Sequence, residues 1–177
     1  ESAKQAEQTT QKARGPDGFG CTTCHAKPEE ALKTWAAGMP KWEPRLDKVL
    51  GVEEFITRHA KATTGAVWLM QSQENLAMSV YLHSLADGAP IKVNVSQGPA
   101  KEAYERGKAL SSRKLGQLNF SCVHCHSPER GWLHWIRGQS LGEQKGPYDH
   151  VPTRRTSLQT VWDNRKRSPS CQVTIRA

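Results

Sequence analysis

Three phenylalanines, three tyrosines and three methionines, in a chain whose hydrophobic residues make up 36% of the total, are lean provision for an apolar core. A length of 177 residues admits one domain or two small ones. No apolar run approaches the length that crosses a bilayer, so a transmembrane helix is excluded. The polar start Glu1-Ser2-Ala3-Lys4 carries no signal peptide, as expected of a mature, exported product. Strand-like alternation is missing, and helical pattern dominates. Cysteine is both scarce and odd in number, five in all, which argues against a disulfide-stapled scaffold. Acidic residues are short as well, 17 against 25 lysines and arginines. Between positions 151 and 177 Asp163 alone faces Arg154, Arg155, Arg165, Lys166, Arg167 and Arg176. A basic concentration of this kind suits an anionic substrate or an acidic partner. Nothing else points to base recognition, so nucleic acid is not expected as a partner.

Four of the five cysteines fall in two signatures, Cys21-Thr22-Thr23-Cys24-His25 and Cys122-Val123-His124-Cys125-His126. Two thiols three positions apart can form thioethers to the two vinyl groups of one haem, while the next residue offers imidazole to the iron. Paired CxxC motifs also describe a four-thiolate zinc site, but zinc does not require a histidine after each second cysteine. The reading is a dihaem c-type cytochrome. Cys21, Cys24, Cys122 and Cys125 hold two covalent haem c groups, and His25 and His126 are proximal ligands. Two porphyrins would supply much of the missing hydrophobic mass, and their propionates would offset part of the net charge of +8. Covalent haem attachment in bacteria takes place outside the cytoplasm, which favours the periplasm.

Ala3 to Lys12 reads as a polar helix broken at Gly15-Pro16-Asp17-Gly18. Val52-Glu53-Glu54-Phe55-Ile56 opens a helix, and Glu74 to Leu85 is an amphipathic one that ends at Asp87-Gly88. The glycine- and proline-containing stretch Gly88 to Pro99, with Ile91 to Val95 as a short apolar run, reads as a linker or an isolated extended segment. The pattern then restarts with a helix from Ala100 to Ala109, Tyr104 and Ala109 on one face, followed by the second signature. The expected architecture is all-α: two tandem cytochrome c-like domains, 1–91 and 92–177, each with one haem and the second carrying the active site.

Each haem needs a second axial ligand. His134, His150 and Cys171 lie downstream of the second signature; Cys171 is favoured, because Arg165, Lys166 and Arg167 beside it would stabilise the thiolate that iron prefers. His59, Met70 and Met39 are candidates for the first haem, with His83 and Met78 read as helix-face residues. Met39-Pro40 follows the signature too closely to return over the distal face, and the residues alone leave His59 and Met70 even. Trp132 and Trp135 are read as packing residues near the second haem.

From Gly116-Gln117-Leu118-Asn119-Phe120-Ser121 through the second signature to Gly131-Trp132, Arg137-Gly138, Pro152, Arg155 and Cys171, the chain resembles the SoxA subunit of the SoxAX cytochromes. Pro40-Lys41-Trp42 and Val52 to Ile56 look like the family's segment before its first-haem ligand, and the resemblance runs from about Gly18 onward. It implies an L-cysteine S-thiosulfotransferase-like haem enzyme of the periplasm that joins thiosulfate oxidatively to a cysteine of a carrier protein. In the family an arginine precedes the active-site cysteine ligand by four residues, and Arg167 and Cys171 stand at those positions. Where dihaem members place a cysteine ligand to the first haem, this chain has His59, which implies a bis-histidine pair of His25 and His59 and a higher potential than thiolate would give. Val151, Arg154 and Pro169 depart from the family pattern. The implied partners are a monohaem, SoxX-like cytochrome subunit that accepts the electrons and a SoxYZ-like sulfur carrier. Two alternatives are an electron carrier without a substrate of its own and a dehydrogenase forming tetrathionate.

Overall fold

The computed structural model describes residues 18–127, 151–155 and 160–174, with positions 8, 16, 129, 135–136 and 139–140. Of the polar helix expected over 3–12, Gln8 is described and helical; the rest lies outside these residues, as do Trp132, His134 and His150. The chain divides into two compact units, Glu1–Lys101 and Glu102–Ala177.

The first unit opens with a single helical turn, α1 (Cys21–Cys24), followed by α2 (Pro28–Ala31) and a 3-10 turn at Ala36–Gly38. A small hairpin pairs β1 (Lys41–Glu43) with β2 (Lys48–Leu50), Trp42 opposite Val49. Its turn runs through Pro44–Leu46 to Asp47, whose φ of 49° lies in the left-handed region. Two longer helices follow, α3 (Val52–Thr64) and α4 (Gln73–Leu85). The first turn of α3 carries Glu53 and Glu54 where the helix dipole favours acids, and the helix stops at Gly65, which supplies the positive φ of 69° that a left-handed cap needs. Ser72 caps α4, its Oγ accepting the Asn75 N–H at 3.2 Å.

The core joins Val52 and Ile56 of α3 to Met78, Tyr81 and Leu82 of α4, with Ala36 beneath them. Full burial of a side chain such as Ile56 or Leu82 contributes about 1.5–3 kcal/mol. α4 does not divide cleanly into polar and apolar faces, because Asn75 and Ser79 are fully buried along with its hydrophobic residues. Asn75 Nδ2 donates to the Glu53 carbonyl at 2.8 Å and to Thr57 Oγ1 at 3.1 Å, and its Oδ1 accepts the Gln71 N–H at 3.3 Å. Ser79 Oγ donates to Glu53 Oε1 at 2.7 Å. A polar seam thus fixes the rotation of α3 against α4. The buried Glu54 carboxylate accepts from Lys48 Nζ at 2.9 Å and Arg58 Nη2 at 2.8 Å, tying β2 to α3.

Between Ala86 and Gln97 the chain forms neither helix nor strand, although the Lys92 N–H reaches the Ala37 carbonyl at 2.8 Å. The division between the units falls inside the next helix, α5 (Gly98–Ser112), none of whose residues is buried.

The second unit contains the single-turn helix α6 (Cys122–Cys125), two antiparallel pairs, and α7 (Asn164–Thr174). The pairs are β3 (Trp135–Ile136) with β4 (Gln139–Ser140), and β5 (Thr153–Arg155) with β6 (Thr160–Trp162). Single helical turns carry both signatures, and three two-stranded ladders correct an all-α reading. Strands of two or three residues are too short to show the period of two by which strands are recognised.

Replacing Asn75 by alanine removes the donor to the Glu53 carbonyl and Thr57 and leaves the Gln71 N–H without its acceptor, and should cost about 2–3 kcal/mol in denaturant unfolding. Ser79→Ala, which removes one hydroxyl donor, should cost about 1 kcal/mol in the same assay.

Candidate haem sites and a basic helix

The two signatures are built on one plan. In the first, the Thr23 N–H bonds the Gly20 carbonyl at 3.0 Å and the His25 N–H the Cys21 carbonyl at 2.9 Å. In the second, the His124 N–H bonds the Ser121 carbonyl at 3.1 Å and the His126 N–H the Cys122 carbonyl at 2.9 Å. The third helical residue caps each turn backwards: Thr23 Oγ1 accepts the Gly20 N–H at 3.1 Å, and His124 Nδ1 accepts the Ser121 N–H at 3.2 Å. Ser121 Oγ meets the same nitrogen at 2.7 Å. These caps escape a search for haem signatures, although the spacing of a capping box is present at both.

Cys21, Cys24 and His25 border a largely apolar cavity of 370 Å³ whose far wall is Ile56, Met78, Tyr81 and Leu82. Trp68 and Phe19 also line it, and neither was singled out by the sequence. His59 enters from α3, and its ring centroid stands 6.2 Å from that of His25, the planes inclined at 46°. Met70 is exposed and Met39 packs against the core; neither lines the cavity. His83 Nδ1 lies 2.8 Å from the Ser79 carbonyl on its own helix, and Met78 is a buried cavity wall.

Burial, and then the nearby His25, hold the His59 imidazole below its usual pKa, which keeps its lone pair available at neutral pH. Burial raises the Cys21 thiol, opposed by a backbone hydrogen bond. The donor set fits a haem: two thiols at the mouth of an apolar slot, and two imidazoles separated by about the 6 Å that a single ion between them requires. None of the four signature cysteines forms a disulfide, and among the described residues no three histidine, cysteine or acidic side chains gather as a metal cluster.

In the second unit, Asp163 is fully buried and caps α7, its Oδ1 accepting the Lys166 N–H at 2.7 Å and its carbonyl the Arg167 N–H at 3.1 Å. Arg167 and Cys171 are one helical turn apart on α7, so the two positions share a face. Pro169 lies between them and removes one backbone donor from the helix. Lys166 has its Nζ 5.5 Å from the centre of the Trp162 ring.

Residues 5–91 match the family model described as "SoxA/TsdA, cytochrome c domain". The L-cysteine S-thiosulfotransferase subunit SoxA of Pseudaminobacter salicylatoxidans is 29% identical over 92% of this chain and 56% of its own length. The chain is thus similar to the SoxA cytochromes. Another relative under the same name, from Rhodovulum sulfidophilum, is 28% identical over 86% of the chain and 52% of its own length. The chain spans about half the length of those curated relatives. The fold is shared with the crystal structure of SoxXA from P. pantotrophus, at a TM-score of 0.85 and 24% identity over 99% of this chain and 65% of that one. A cytochrome c domain implies covalently bound haem c. No helix among the described residues is long and apolar enough to cross a membrane.

Thr23→Val removes the acceptor for the Gly20 N–H and should lower holoprotein stability by about 1 kcal/mol in thermal unfolding. His124→Ala should do the same to the second turn, and His124→Asn, which keeps an acceptor, should recover most of the loss.

Proposed function

We propose that this chain is a dihaem SoxA-type enzyme of the periplasm that conjugates thiosulfate to a cysteine of a sulfur-carrier protein. The observation that carries the reading is the pairing of Arg167 and Cys171 one turn apart on a helix anchored by buried Asp163, in a chain whose relatives are named for this transfer. The first haem is attached to Cys21 and Cys24 and ligated by His25 and His59; the 6.2 Å ring separation supports that pair. The second is attached to Cys122 and Cys125 and ligated by His126 and Cys171. The repetition of the same turn, bond for bond, at both signatures supports two haems in place of one.

Thiosulfate is a small dianion, and the Arg167 guanidinium can offer it two parallel donors. Cys171, one turn further along the helix, would supply a polarizable sulfur. The overall change is the formation of one S–S bond between the outer sulfur of thiosulfate and the carrier cysteine, with release of the thiol proton and two electrons. Bound haem supplies the one-electron steps that carry those electrons away. A monohaem SoxX-like cytochrome is their acceptor, and a SoxYZ-like carrier presents the cysteine. The basic residues between 151 and 177 would draw both the dianion and an acidic partner.

Pyridine haemochrome analysis should give two haems per chain. Arg167→Ala should abolish carrier-dependent turnover while leaving the haem spectrum nearly unchanged, because the guanidinium binds the anion and not the iron. Cys171→Ala should change both turnover and the low-spin signals of the oxidised protein. Normal turnover in Arg167→Ala, or an unchanged spectrum in Cys171→Ala, would remove the proposed site.

A further inference from the structure

We propose that Phe55 is a positioning residue for the first haem: it fixes the plane of the His59 ring, and with it the angle between the two axial imidazoles. The inference rests on the assignment of His25 and His59 as ligands made above, and deepens it.

Phe55 and His59 are one turn apart on α3, with ring centroids 5.3 Å apart and planes within 14° of parallel. Trp35, at the start of the 3-10 turn Ala36–Gly38, meets the Phe55 ring at 4.8 Å and 52°, so Phe55 is itself held from another element. A metal-binding histidine is ordinarily oriented by a hydrogen bond to its second ring nitrogen. No such bond to the His59 ring comes from the described residues, and the stack takes its place. This matters because the terminal torsion of histidine is broad, and a ring on a partly exposed helix face would otherwise take a range of planes.

The angle is chemically consequential. Each imidazole lifts the iron d orbital that lies perpendicular to its own plane. Parallel rings therefore separate the two d orbitals most strongly, while perpendicular rings cancel. At 46° the pair lies between these limits, where a small rotation of either ring changes the splitting. That splitting sets the position of the low-spin electron paramagnetic resonance line.

The test is frozen-solution electron paramagnetic resonance on the oxidised, full-length holoprotein. His59→Ala identifies the first-haem line by its disappearance. Phe55→Leu and Phe55→Met, two ring-free side chains of differing shape, should shift and broaden that line, and Phe55→Tyr, which keeps the stack, should restore its position and width. Trp35→Leu should move the line in the same sense through a smaller shift, and serves as an independent arm. A line unchanged in position and width in the ring-free variants, with His59→Ala still abolishing it, would overturn the role of Phe55 and leave the ligand assignment standing. If His59→Ala left every line in place, the ligand assignment would fail and this proposal with it.

Discussion

The contact between α3 and α4 governs the first unit, and its decisive part is polar. Apolar packing of Ile56 against Met78 and Leu82 would tolerate some rotation of one helix on the other, since burial is non-directional. The hydrogen bonds of Asn75 to the Glu53 carbonyl and Thr57, and of Ser79 to Glu53, do not. They hold α3 at one rotation, and that rotation turns His59 toward His25 across the cavity. Glu54, bound by Lys48 and Arg58, locks the start of the same helix to the hairpin. Buried polar groups that are satisfied in this way specify a unique arrangement more than they add stability.

A lean composition has a structural counterpart. Among the described residues every buried hydrophobic side chain falls between Ala36 and Leu82, in the first unit. The described buried side chains of the second unit are Ser121 and Asp163, both polar, while Leu110, Leu118 and Phe120 are exposed. Even in the first unit, several core residues face an apolar cavity as well as one another. On the proposed reading, haem would complete this packing as well as supply redox chemistry. Covalent attachment would suit such a fold, because a group that doubled as core could not dissociate without loss of the structure around it.

Much of this was legible in the residues. Each CxxCH run announces its chemistry, and the helices from Val52, over Gln73–Leu85 and from Gly98 follow from period, caps and glycine stops. The strands were not, because a three-residue pair such as Lys41–Glu43 with Lys48–Leu50 has no period to detect. The residue types of Asn75 and Ser79 give no hint that Glu53 and Thr57 wait opposite them; that knowledge lies in the packing. His59 and Met70 were equal on sequence, and the distinction arises in three dimensions, where the helix rotation admits His59 to the cavity and leaves Met70 exposed. The Phe55–His59 stack was in principle readable from a four-residue spacing, but many aromatic pairs at that spacing do not touch. His134 and His150, weighed against Cys171 for the second haem, lie outside the described residues.

The cap on the second signature bears on how a haem would be taken up there on the proposed reading. Two histidines flank Cys125, and a turn so rich in imidazole invites misligation while the polypeptide is still folding. His124 Nδ1, however, already receives the Ser121 N–H and hydroxyl. With Nδ1 engaged in this way, its lone pair is not offered to iron while the turn is intact. Local backbone chemistry thus makes the choice between the two imidazoles before any metal arrives.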